Sequence, residues 1–151
     1  MGDYILQLRR LVGTRPLITC GACVILLDAR GRILLQRRAD NGAWGLPGGS
    51  MEPGETLEQT ARRETLEEMG IVCGPLEFLH LFSGPEMYYR YPHGDEAYNV
   101  AAVYVCRRFE GQDHPADDEV TETAWFAPAD LPPDISPPDR VILGHFLAHR
   151  Q

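Results

Sequence analysis

Gly49-Ser50-Met51-Glu52-Pro53-Gly54-Glu55-Thr56-Leu57-Glu58-Gln59-Thr60-Ala61-Arg62-Arg63-Glu64-Thr65-Leu66-Glu67-Glu68-Met69-Gly70-Ile71 is the stretch whose reading decides the rest of the chain. It opens as a loop rich in glycine and proline and turns into a helix. Thr56 and Gln59 stand at capping-box spacing, and Gly70 follows as a C-terminal stop, so the spacing predicts a helix from about Thr56 to Met69. At about 100° per residue, Leu57, Ala61, Glu64 and Glu68 fall within about 60° of one another, with Glu67 on the flank. The side carrying Leu57 and Ala61 should face a core, yet its second half is acidic. Close carboxylates repel and cost free energy unless positive charge lies between them. A hard cation such as Mg2+ or Mn2+ prefers oxygen ligands and answers that need. A solvated acidic face with an i,i+4 pair, Arg63 to Glu67, is the alternative, and the carboxylates alone do not decide between the two.

Upstream residues add to the case. The turn Leu46-Pro47-Gly48-Gly49 exposes backbone N–H groups and lets a phosphate approach closely. The helix N-terminus contributes partial positive charge. Arg37 and Arg38 end the preceding strand and offer cationic reach, with plain surface solvation as the alternative for each. Carboxylates for a metal, a glycine turn and arginines together point to phosphoryl chemistry.

Residues 3–12 place Tyr4, Ile5, Leu8, Leu11 and Val12 at helical spacing, so residues 1–16 read as an N-terminal helix or arm. From Leu17 to Leu27 both alternating sets are apolar: Ala22, Val24 and Leu26 on one side, Cys23, Ile25 and Leu27 on the other. A strand apolar on both faces implies a sheet covered on both sides. A turn at 28–31 and a strand from Arg32 to Arg38 suggest a hairpin, and residues 40–55 read as loop. After the helix come a strand over 75–82, a polar aromatic loop over 84–96, a strong strand over 98–109 and a weaker one over 121–126. Five prolines mark 127–139 as an irregular connector, and 141–149 as a closing helix. We read residues 1–151 as a single domain, with 127–151 forming the connector and last helix.

The net charge of −8 argues against long-range attraction to nucleic acid or an anionic membrane. No apolar run reaches the roughly 18 residues of a membrane span, and residues 1–10 lack a signal-peptide layout; the cytoplasm is the default. Cys20 and Cys23 lie three apart on a strand and point to opposite faces, so with Cys73 and Cys106 they are expected to be free, mostly core thiols. The five histidines show no ligand spacing.

The residues from Gly49 to Ile71 resemble the Nudix box, Gly-x5-Glu-x7-Arg-Glu-U-x-Glu-Glu-x-Gly-U with U aliphatic. Gly49, Glu55, Arg63, Glu64, Glu67, Glu68, Gly70 and Ile71 all match, and Thr65 stands at the first U. Upstream Trp44-Gly45-Leu46-Pro47 and downstream Trp125-Phe126 are similar to family features too, so the likeness spans about residues 17–131. The resemblance implies an α/β fold, an α/β/α sandwich around a mixed sheet. It implies Mg2+ or Mn2+ held by Glu64, Glu67 and Glu68, with Gly49 and an acid before the late Trp strand, Glu119, as further metal candidates. It also implies that Glu55 orients Arg63, and that Glu64, Glu67 or Glu119 is the general base, a choice the sequence leaves open. The activity implied is metal-dependent hydrolysis of the diphosphate in a nucleoside diphosphate linked to another moiety.

Gly48, Arg37, Arg38, Tyr88 and Tyr89 are the candidate substrate-binding residues. Tyr88 and Tyr89 fall 17 and 18 residues after the box, a zone where some diadenosine-polyphosphate hydrolases of the family carry Tyr. Pro85 lies one position short of a Pro found in ADP-ribose hydrolases. The expected partner is a small nucleotide; neither nucleic acid nor a membrane is expected, and a homodimer is left open. The rival readings are a catalytically silent nucleotide sensor, disfavoured because the box glutamates are intact, and an RNA-directed enzyme, disfavoured by the negative charge.

Overall fold

The computed structural model describes residues 3–111 and 114–150; the ends of the expected domain, Met1, Gly2 and Gln151, lie outside them. The elements run α1 (Asp3–Val12), β1 (Leu17–Leu26), β2 (Ile33–Arg38), β3 (Trp44–Gly45), β4 (Gly48–Ser50), α2 (Leu57–Met69), β5 (Val72–Cys73), β6 (Leu76–Phe82), β7 (Tyr88–Arg90), β8 (Glu96–Cys106), β9 (Phe109–Glu110), β10 (Val120–Phe126) and α3 (Pro137–His149).

The main sheet is mixed, in the order β4-β1-β8-β6, with β7 also on β8. The β1–β8 pair is parallel and the others are antiparallel. Apolar residues on both faces of β1 are the reason it can lie inside. Ala22, Val24 and Leu26 pack with Ala61 and Met69 of α2. Cys23, Ile25 and Leu27 pack with Ile142, Leu143 and Phe146 of α3. The result is an α/β sandwich with one helix on each side, as the two-sided strand required.

Several boundaries differ from the sequence reading. The expected hairpin of the first two strands closes only at the bridge Leu27–Ile33. Beyond that bridge β2 leaves to build a second antiparallel sheet, β10-β2-β3. The loop over 40–55 contains β3 and β4, whose short Gly-rich pairings carry little propensity signal. The loop over 84–96 holds a 3-10 turn, Pro85–Met87, and then β7. The proline connector ends early: α3 starts at Pro137, because prolines at the first helical positions lose no hydrogen bond. In α1, Ile5, Leu8, Arg9 and Val12 are half-buried while Tyr4 and Leu11 are exposed. Arg9, beside the half-buried residues of the stripe, donates to three backbone carbonyls and fixes the helix there. The four cysteines are free; Cys20 is exposed and Cys23, Cys73 and Cys106 are buried.

Candidate active site

The helix of the box is set at both ends by its own sequence. Thr56 Oγ1 accepts from Gln59 N at 3.1 Å, and Gln59 Oε1 accepts from Thr56 N at 2.9 Å, a complete capping box. Gly70 takes φ 69°, the left-handed conformation that ends a helix, and its N–H reaches Leu66 O. Thr65, the departure from the aliphatic pattern, is fully buried and donates to Ala61 O at 2.8 Å. Its hydroxyl is satisfied inside the helix, so the core tolerates it.

The inner face of α2 then carries two carboxylates into the protein. Glu64 is 3% exposed and Glu68 5%. Burial, and next the neighbouring Glu64 carboxyl, push Glu68 well above the usual carboxylate range. Gln36 Nε2 donates to Glu68 at 2.5 Å and Gly48 N at 3.2 Å. A Cβ on Gly49 would lie 2.6 Å from Glu64 Cδ, and one on Gly48 would lie 2.5 Å from Cys23 Cβ. Only glycines let β4 approach both the carboxylates and β1, which gives the paired glycines of the turn a steric reason.

Arg63 organises the outer acids. It donates to both oxygens of Glu55 (2.6 and 3.0 Å), to Glu64 (2.7 Å), to Glu67 (3.3 Å) and to Ser50 O (3.1 Å). Glu55 also accepts from Glu52 N and the Thr60 hydroxyl. The hydrogen bond from Arg63 leads the forces that hold Glu55 down at about 2.

A cavity of about 540 Å³ opens over this region, lined among others by Gly48, Gly49, Glu64, Glu68, Arg38 and Glu119. A side cleft of about 160 Å³ shares Arg38, Gly48 and Gly49 and adds Tyr89 and Asn99. Glu119's carboxyl is raised, first by burial and then by Asp117. Arg38 pairs with Asp40 at 2.6 Å and lies 5.4 Å from the Tyr91 ring centroid. Arg37, the next residue along the strand, points the other way: it bonds Gly42 O and Glu122 and stacks over Trp44, away from the cavity. Tyr88 likewise lies off both linings, its hydroxyl bonded to Glu96. The structure therefore brings together Gly48, Gly49, Glu64, Glu68, Arg38 and Glu119. It places Glu55, Arg63 and Glu67 beside them, and leaves Arg37 and Tyr88 elsewhere.

The oxygens of Glu64 and Glu68, on two adjacent buried carboxyl groups, suit a hard divalent cation. Gln36 Oε1 is also buried there without a hydrogen-bond partner. Among the described residues no three His, Cys, Asp or Glu side chains converge as a metal cluster; Glu67 is turned toward Arg63. Sequence reading passed over Gln36, the one polar residue among the apolar ones of Ile33-Leu34-Leu35-Gln36, whose position was the available signal. It also passed over Asp139, hidden in the proline connector. Asp139 lines the cavity and the cleft, bonds Ser136 Oγ, and is raised to about 6 by burial. Of the five histidines, His93 lines the cavity. His80, His145 and His149 stack on one another at 4.4 and 4.3 Å between β6 and α3.

Several known proteins are similar to this chain. A MutT-like protein of Streptomyces ambofaciens is 31% identical over 116 residues, 77% of this chain and 68% of that one. The nucleoside triphosphatase NudI of Escherichia coli O81 (strain ED1a) is 32% identical over 114 residues, 70% of this chain and 80% of that one. The match spans 32% to 43% of the length of several other curated relatives. The crystal structure of a MutT NUDIX hydrolase from Burkholderia pseudomallei superposes with TM-score 0.72 at 30% identity, covering 87% of this chain and 98% of that one. The family description "NUDIX domain" matches residues 19–146, reaching past the stretch read from sequence to take in most of α3. The chain belongs to the NUDIX domain family.

Proposed function

We propose that the chain is a divalent-metal-dependent pyrophosphohydrolase that cleaves the diphosphate of a nucleoside diphosphate joined to another group. The observation that carries this reading is the pair of buried carboxylates, Glu64 and Glu68, pressed against the Gly48–Gly49 turn in the wall of a cavity. Such a pair must share a proton or hold a cation between its oxygens, and oxygen ligands of this kind suit a hard divalent cation. Relatives named as a nucleoside triphosphatase and as MutT-like support the same chemistry.

In this reading Glu64, Glu67 and Glu68 hold Mg2+ or Mn2+, with Glu119 and Gly49 contributing at the rim. A cation bound there would neutralise charge on the diphosphate and lower the pKa of water so that it can attack as hydroxide. Water attacks one phosphorus in line, its proton passes to a carboxylate, and the other phosphate leaves with the bridging oxygen. The proton acceptor is Glu64, Glu67 or Glu119, and of these Glu64 and Glu119 border the cavity. Glu55 fixes Arg63, and Arg63 in turn positions Glu64 and Glu67. Arg38 and Tyr89 contact the nucleotide. The partner is a small nucleotide rather than RNA, in keeping with the charge of −8, and the setting is the cytoplasm. No helix among the described residues is long and apolar enough to cross a membrane.

The test is phosphate release, coupled to added pyrophosphatase and phosphatase. The panel is nucleoside triphosphates, nucleotide sugars, ADP-ribose, dinucleoside polyphosphates and NADH, with Mg2+ and with Mn2+, beside Glu68→Gln. Metal-dependent turnover that the variant loses is expected. Silence across the panel with nucleotide still bound would establish the sensor reading instead.

A further inference from the structure

The helix α1 lies outside the stretch that matches the family, residues 19–146, yet it lines the same cavity as Glu64 and Glu68. Ile5, Leu6 and Arg9 all border that cavity. Ile5 and Arg9 are four residues apart and share a helix face. The Arg9 side chain, 10% exposed, donates to Gly13 O and Arg15 O at the end of α1 and to Glu96 O at the start of β8, and lies 3.5 Å from Asp95. It bolts the helix to the β7–β8 hairpin. That hairpin supplies Tyr91 and His93 to the same cavity, their rings stacked at 5.7 Å. One wall is therefore made jointly by α1 and the hairpin.

A ten-residue helix is marginal in water by itself, so α1 exists because it docks. Its docking face, however, lies partly over open cavity: Leu6 borders the cavity while 44% exposed. A group filling the cavity would complete the burial of that apolar surface. The chemistry of the wall restricts which group. Ile5, Leu6 and Tyr91 are apolar or aromatic and suit an uncharged planar ring, while the charged neighbours are already paired, His93 with Asp95 at 2.8 Å and Arg38 with Asp40 at 2.6 Å. Arg9 is already committed to carbonyls.

We infer that α1 is the nucleobase-selecting wall of this enzyme, with Ile5 and Leu6 packing on the base of a nucleotide whose diphosphate lies at Gly48, Gly49, Glu64 and Glu68. The inference rests on the function proposed above and names which part of the substrate α1 reads. An element added outside the common domain is a place where relatives sharing the box can differ in substrate.

The experiment uses the full chain and α,β-methylene nucleoside triphosphates of the four bases, with imidodiphosphate as a base-free control. Backbone hydrogen exchange over residues 5–12 is followed with and without each ligand, and dissociation constants are measured for wild type, Ile5→Ala/Leu6→Ala and Arg9→Ala. The nucleotide analogue is expected to slow exchange in α1, and imidodiphosphate to leave it unchanged. The double variant should bind the preferred analogue roughly tenfold more weakly and discriminate less among bases, with imidodiphosphate binding retained. Arg9→Ala should act in the same direction by freeing the helix. Unchanged affinity in both variants with α1 unprotected would overturn the inference, while Glu68-dependent turnover of the panel would leave the enzyme reading standing. Protection of α1 in a wild type that hydrolyses nothing would support the wall and overturn the enzyme. Failure of the wild type to bind any of these analogues would overturn the inference, while silence of the whole hydrolysis panel would be needed to overturn the enzyme.

Discussion

The helices α2 and α3 are the same length, thirteen residues, and cover opposite faces of the same sheet, but they do so differently. The inner face of α3 is built from Ile142, Leu143 and Phe146, all packed into one core cluster. The inner face of α2 spends two of its buried positions on Glu64 and Glu68. Its burial would be a net cost without strong ends, and it has both a complete capping box and a glycine stop. The entry acids differ too. Glu55, just before α2, is held at about 2 chiefly by Arg63, whereas Asp139, in the first turn of α3, is raised to about 6 by burial. One helix serves packing; the other gives up packing to hold charge where a cation would be bound.

The largest effect should come from breaking that asymmetry at Glu68. Glu68→Gln keeps the shape and lets the new amide donate to Glu64. Turnover should fall by roughly a hundredfold or more, as expected for a lost ligand, while the melting temperature of metal-free protein stays level or rises. A drop in that melting temperature would mean the pair is structural rather than functional. On the other helix, Phe146→Ala should do the reverse. It should cost about 3–5 kcal/mol in denaturant unfolding with little change in kcat well below the melting point. Equal losses in both measurements would show that α3 shapes the site.

A smaller effect is expected at the cap. Thr56→Ala removes the hydroxyl that accepts from Gln59 N and should cost about 1 kcal/mol of stability. The smallest is the pH dependence, where the two entry acids have opposite signs. Glu55 is lowered, so its contribution is present above its unfolded value of 4.5 and is lost as pH falls through about 2. Asp139 is raised, so its contribution is present below its unfolded value of 3.8 and is lost as pH rises through about 6. Melting curves of Asp139→Asn should therefore gain on wild type as pH rises from 5 to about 7.5. A pH-independent difference would contradict the burial of that acid.

The linear sequence by itself determined the two-sided burial of β1, the extent of α2 and the set of box residues, because each rests on periodicity or fixed local spacing. Ala22, Val24 and Leu26 alternate with Cys23, Ile25 and Leu27 whatever they pair with. Thr56, Gln59 and Gly70 act within one helix. What only the tertiary structure decided depends on distant partners. It separated Arg38, which enters the cavity, from Arg37, which turns to Trp44 and Glu122, because the strand's orientation comes from its pairing with β10. It docked α1 through the carbonyls that Arg9 reaches. It brought Gln36 to Glu68 across 32 positions, and Asp139 to the same cavity from a segment that reads locally as a proline connector. Local spacing encodes an element and its ends, but a side chain's final direction is set by contacts that exist only once the sheet has formed.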